Sequence, residues 1–144
     1  MPAVVEEIKP EEMKIAEEIP LGDGETILVA EDEMPIQEMI KTVLEENNYK
    51  VITANNGAEG LLRYAQNQNE IKLLIIDLGM PIMDGVEMIK TIKKIEPSTK
   101  IIATSGLASP TALLEDALQN ISSFLQKPFD ALTLLKEVAK VLKS

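Results

Sequence analysis

Four apolar runs of the chain each end in groups that can do chemistry. TILVA is followed by Glu31-Asp32-Glu33, the run Leu73-Leu74-Ile75-Ile76 by Asp77, KIIA by Thr104-Ser105-Gly106, and SSFLQ by Lys127-Pro128-Phe129. A single Asp after an apolar run means little, since it can be a helix cap or a surface residue. Acids, a hydroxyl and an ammonium from four separate segments form a much rarer set. Brought together, Glu31, Asp32 and Asp77 would repel one another, and something must compensate their charge. Mg2+ is the natural candidate, because it is hard, prefers oxygen and is held by a few carboxylates plus waters. Lys127 would add a second positive charge and Ser105 a hydrogen-bond donor. Cation, ammonium and hydroxyl are what a transferring phosphoryl group needs around its equatorial oxygens. A carboxylate can attack phosphorus in line and become an acyl phosphate, and Asp77 is the one placed to do so.

These residues need elements to hold them. Thr26–Ala30 reads as a short strand. Ile36, Met39, Ile40, Val43 and Leu44 share one face of a helix from Pro35 to Asn47. Lys50–Ala54 is a second strand, and Asn56 with Glu59 three positions later starts a second helix that runs to about Gln68. Lys72–Asp77 is a third strand, apolar enough for the centre of a parallel sheet. Asp84, with Glu87 at capping-box spacing, starts a third helix that runs to Ile95. Lys100–Ser105 is a fourth strand, and Ser109-Pro110 starts a fourth helix. Ser122–Gln126 is a fifth strand, and Asp130 caps a last helix. This alternation predicts an α/β fold, doubly wound around a five-stranded parallel sheet. Ligands of such folds lie beyond the carboxyl ends of the strands, the edge where the reactive groups stand.

Composition narrows the chemistry further. The 144 residues suit one domain with a single core. There is no cysteine and no histidine, which removes disulfides, thiol and imidazole catalysis, and Cys- or His-ligated zinc. No apolar run approaches the roughly 18 to 20 residues of a membrane span, and the acidic N-terminus does not read as a signal peptide. The net charge is −10, which argues against direct nucleic-acid binding. Residues 1–25 carry most of that charge and read as an acidic tail or linker, with a short helix conceivable after Pro10. The folded domain is expected over 26–144.

Taken together, Glu31-Asp32, "DLGMPIMDG", "TSG" and "KPF", in this order and at these spacings, resemble the receiver domain of two-component response regulators over roughly residues 25–143. The resemblance implies a flavodoxin-like (βα)5 fold with strand order 2-1-3-4-5. Asp77 would be the phosphoacceptor. Asp32 would bind Mg2+ directly, Glu31 mostly through water, and Gly79 through its backbone carbonyl. Ser105 would bind a phosphoryl oxygen, Lys127 would pair with the phosphate, and Phe124 would be the aromatic switch. The phosphoryl donor would be a phosphohistidine on a histidine kinase or a histidine phosphotransfer domain. The output would be a downstream protein on the face formed by the fourth helix, fifth strand and fifth helix. The domain would be cytoplasmic, a monomer or a phosphorylation-dependent dimer, and no enzyme beyond assisting its own phosphorylation and dephosphorylation. Three departures stand out: Glu31 where the family usually has Asp, Gln119-Asn120 where many members have Gly and Ala, and non-polar Gly79 and Leu107 at positions that tune dephosphorylation. "PLGDGETILVAEDE" resembles the linker into the C-terminal receiver of a hybrid sensor kinase. No DNA-binding segment is expected after residue 143.

Simpler readings compete at several positions. Asp84 and Asp130 read as caps, Met80 and Met83 as packing or turn residues, and Glu33 as a surface residue beside the pocket. Alternation along the fourth strand lets only one of Thr104 and Ser105 face the site. The rival functions are a phosphorylation-independent pseudo-receiver that binds protein, an Asp-nucleophile phosphatase, and a flavin or nucleotide carrier. Position 79 lacks the second acid common in such phosphatases. The acids after the first strand would repel a phosphate that lacked a metal.

Overall fold

The computed structural model describes residues 21–80, 83–106, 119 and 121–144. Five parallel strands form one sheet in the order β2-β1-β3-β4-β5: β1 Thr26–Ala30, β2 Lys50–Ala54, β3 Ile71–Asp77, β4 Ile101–Ser105 and β5 Ser123–Gln126. Four helices are described among them: α1 Met34–Glu46, α2 Gly57–Gln66, α3 Gly85–Ile95 and α4 Ala131–Lys143. The helix expected from Ser109-Pro110, the N-terminal stretch through residue 20, Leu107 and Asn120 lie outside the described residues.

Strand periodicity divides the core into two layers. Leu28, Ala30, Leu74 and Ile76 face α2 and α3, where Tyr64, Met88, Ile89 and Ile92 complete one cluster. The alternate residues Ile27, Val29, Leu73 and Ile75 face α1 and α4, where Ile40, Leu44, Leu134, Val138 and Val141 complete the other. Beyond the exposed Lys72, strand β3 is buried on both faces, which is why Leu73–Ile76 is an unbroken apolar run. Its register sets Asp77 beside Thr104, and that of β1 sets Ala30 beside Ile76. The ends of β1 and β3 are therefore level, and their acids emerge at one edge.

The helix starts follow the sequence. Asn56, Asp84 and Asp130 each accept a hydrogen bond from the main-chain N–H three residues on, at 2.8, 2.9 and 2.8 Å. Helix α2 stops at Gln66 rather than Gln68, because the Asn67 amide closes onto Arg63 and Tyr64 and its side chain bonds the Arg63 carbonyl. The chain is held upstream of β1 as well. The amides of Gly22 and Gly24 donate to the carbonyls of Asn47 and Asn48, each at 2.8 Å, and Asn48 Nδ2 donates to the Gly22 carbonyl.

Candidate functional site

Lys127, just past β5, reaches back across the sheet edge. Its Nζ lies 2.8 Å from Glu31 Oε1, 3.2 Å from Asp77 Oδ2 and 3.5 Å from Glu33 Oε2. The Glu31 and Asp77 side chains are only 2% and 7% exposed, against 60% for Glu33. The inner triplet is thus largely dry, and Glu33 rims it. The Lys127 amide donates to the Ser105 carbonyl at 2.8 Å, which joins the β5 exit to β4. The Lys127–Pro128 peptide is cis. A cavity of about 360 Å³ opens over these groups, lined by Asp32, Glu33, Asp77, Leu78, Gly79, Ser105, Gly106 and Lys127.

Asp32, Asp77, Gly79, Ser105 and Lys127 line this cavity, Glu31 lies against Lys127 beside it, and Phe124 is not among its lining residues. Asp77 is buried at the end of β3, and its Oδ1 accepts from the Gly79 amide at 3.0 Å. Among the described residues, a Cβ at position 79 would meet only Asp77 Oδ1, at 3.9 Å, an ordinary contact. Ser105 lines the cavity and Thr104 does not, as strand alternation requires. Phe124 lies on the face of β5 opposite Leu125, 37% exposed, and belongs to neither core cluster. Met80 is buried in the first cluster and Met83 packs against it. Glu33 is the one acid that sequence reading undervalued. One of its oxygens, one of Glu31 and one of Asp77 lie within 4.8 Å of one another. Asp32 faces the same cavity close to Asp77 but stands outside that mutual group. The only sequence signal for Glu33 was its place in an unbroken run of three acids.

The electrostatics follow from burial. Glu31 is pushed up to about 7, first by burial and then by the charge of Asp77, against the opposing pull of Lys127 and the Glu33 amide. Asp32 is raised, first by its partial burial and then by its hydrogen-bonded neighbour Asp77. Burial pushes Lys127 down, but Glu31 and Asp77 outweigh it and hold the ammonium above its ordinary range.

Gly85 has a steric duty. A Cβ there would lie 2.3 Å from the Asp77 carbonyl oxygen and 2.7 Å from Leu78 Cα. Its glycine lets the start of α3 lie directly on the peptide that carries Asp77.

The donor set suits a hard divalent cation. It is all oxygen, it gathers more negative than positive charge, and Glu31 Oε1 is buried without a well-directed hydrogen bond although Lys127 Nζ is near. The residues that would hold such an ion are Glu31, Asp32, Asp77 and Glu33.

A doubly wound parallel sheet in the order 2-1-3-4-5 is the flavodoxin-like fold shared by CheY-like domains, here with acids, a serine and a lysine at its carboxyl edge. The response regulator receiver domain family matches residues 27–139, and the chain belongs to that family. It is 31% identical over 117 residues to the chemotaxis protein CheY of Bacillus subtilis, covering 81% of this chain and 96% of that one. It is 34% identical over 116 residues to the CAI-1 autoinducer sensor kinase/phosphatase CqsS of Vibrio cholerae, covering 78% of this chain but 17% of that protein. Among solved structures it resembles a response regulator receiver domain protein of Clostridium thermocellum with a TM-score of 0.76 and 30% identity, over 82% of this chain and 94% of that one. Receiver domains are signalling domains of two-component systems. Among the described residues, no helix is long and apolar enough to cross a membrane.

Proposed function

We propose that the chain is a phosphoacceptor receiver that takes a phosphoryl group from a partner's phosphohistidine onto Asp77. The observation that carries this reading is the Lys127 ammonium within 3.2 Å of Asp77 and 2.8 Å of Glu31, on the floor of a cavity that Asp32 and Ser105 also line. Glu31, Asp32 and Asp77, with the Gly79 carbonyl and with Glu33 at the rim, would hold Mg2+, which when bound would supply charge neutralisation for the transferred group. Asp77 Oδ2 attacks phosphorus in line, and the histidine nitrogen leaves with the bonding electron pair. Lys127 exchanges its carboxylate partners for a phosphoryl oxygen. Ser105 donates to another. This movement makes room for Phe124 to turn inward from its exposed position, and the face around β5 and α4 shifts its partner preference as a population shift. The domain spans 26–144, with the acidic stretch before it as a tail or linker. It acts in the cytoplasm, as a monomer or a phosphorylation-dependent dimer, and assists only its own phosphorylation and hydrolysis.

The test is intact mass after incubation with a small phosphodonor and Mg2+. The native chain is expected to gain one phosphoryl group, lost in Asp77→Asn and in the absence of Mg2+. No adduct, where a control receiver is modified, would favour a phosphorylation-independent binding module.

A further inference from the structure

Gln37, in the first turn of α1, is a buried amide to which the phosphoryl chemistry assigns no task. Only 5% of it is exposed. Its Nε2 lies 2.8 Å from the Glu31 carbonyl, 3.0 Å from Asn55 Oδ1 and 3.3 Å from the Ala54 carbonyl. Its own main-chain N–H donates to the Glu33 carbonyl at 2.9 Å. The main-chain bond to Glu33 is an ordinary helix bond, while the amide side chain holds the Glu31 end of the tripeptide Glu31-Asp32-Glu33 to the end of β2.

The grip is anchored. The Glu31 amide donates to the Ala54 carbonyl at 3.0 Å, so the Glu31 N–H is tied to the end of β2 and its carbonyl to Gln37. The Glu33 amide donates to Glu31 Oε2 at 3.1 Å. Asp32 is left at the apex, between two fixed points. If filling space were the only requirement, an apolar side chain would serve, as Ile40 and Leu44 do on the same helix. A buried amide with three acceptors instead costs desolvation, which only directed hydrogen bonds offset.

We infer that Gln37 is a positioning residue for the metal site, clamping the acidic loop so that Glu31, Asp32 and Glu33 meet the cation in one fixed arrangement. The inference rests on the receiver reading of the site. Groups that orient metal ligands from behind typically cost about ten- to a hundredfold in affinity when removed.

The experiment is calorimetric titration with Mg2+ of the native chain, Q37M and Q37H. Methionine keeps the length but has no donor, while the histidine ring Nε2–H reaches about as far from the backbone as the glutamine amide. Q37M is expected to weaken Mg2+ binding about tenfold, and Q37H to stay close to the native value. Equal affinity in Q37M and the native chain would overturn the inference, and so would an equal loss in both variants.

Amide hydrogen exchange in the metal-free proteins supplies a readout without the ion. Asp32 and Glu33 are expected to exchange faster in Q37M, with Ile75 in the core unchanged. Unchanged exchange at Asp32 and Glu33 would sink the clamp. Absence of Mg2+ binding by the native chain would instead sink the receiver reading, and the exchange data would still judge the clamp. If Q37M folds poorly, all proteins are compared in about 1 M trimethylamine N-oxide, which favours the folded state.

Discussion

Replacing Lys127 by methionine removes the cation that joins three carboxylates and leaves most of its apolar stem. Glu33 is 60% exposed, so its share of the loss is small. Glu31 and Asp77 are buried and would face each other uncompensated. Breaking a buried pair in this way costs about 3 to 5 kcal/mol. The loss is limited because Glu31 can take a proton, its carboxyl standing at about 7 even with the lysine present. Its pKa is raised on folding, so its contribution to stability is fully present below the unfolded value of 4.5 and is lost as pH rises through about 7. Without the ammonium the folded-state value climbs further, and each added unit removes about 1.4 kcal/mol above it. In metal-free solution at about pH 8, K127M is therefore expected to lose about 3 kcal/mol, or about 10 °C in Tm. At about pH 6, where Glu31 holds its proton in both proteins, the gap should fall to about 1 kcal/mol. Saturating Mg2+ at the higher pH should also narrow it. Thermal unfolding of both proteins under the three conditions measures this. A loss of equal size in all three would refute the reasoning, because it would assign the effect to packing rather than charge.

Further outcomes follow from the same geometry. Gly85→Ala is expected to cost about 2 to 3 kcal/mol in urea unfolding, because its Cβ meets the main chain of Asp77 and Leu78, which cannot give way. Gly60→Ala, whose Cβ would crowd the flexible end of Met88 and make an ordinary contact with Ala30, should cost less than about 1 kcal/mol, since alanine also favours the helix. Asn48 has a φ of 70° and bonds the Gly22 carbonyl through its side chain. N48A should lose about 2 kcal/mol by adding backbone strain to the missing bond, and N48G about half of that. Glu31→Asp draws the carboxylate back from Lys127, so the pH at which metal-free stability declines should shift, as seen in melts across about pH 5 to 8; an unmoved midpoint would remove Glu31 as its source.

Much of this molecule is legible along the chain. The caps at Asn56, Asp84 and Asp130 could be read because a cap needs only an oxygen and the N–H three residues on. Strand β3 could be read because burial on both faces demands an uninterrupted apolar run. Glu33 and Gln37 resisted such reading. A third acid in a loop and a glutamine among the polar residues of a helix look the same whether they face water or a site. Only the path of the loop after β1 settles that. Gly85 was legible as a helix start but not as a contact, since its neighbour is the backbone of a different segment.

The sequence by itself determined the elements, their order and the set of reactive side chains, because periodicity, capping and residue chemistry act over a few neighbouring positions. The tertiary structure decided which acids share Lys127, that Glu33 joins Glu31 and Asp77 while Asp32 stands beside them, and that Gln37 holds their loop. Those outcomes depend on strand register and on the burial that moves Glu31 toward neutrality. Register and burial exist only once segments far apart in the chain are packed against one another.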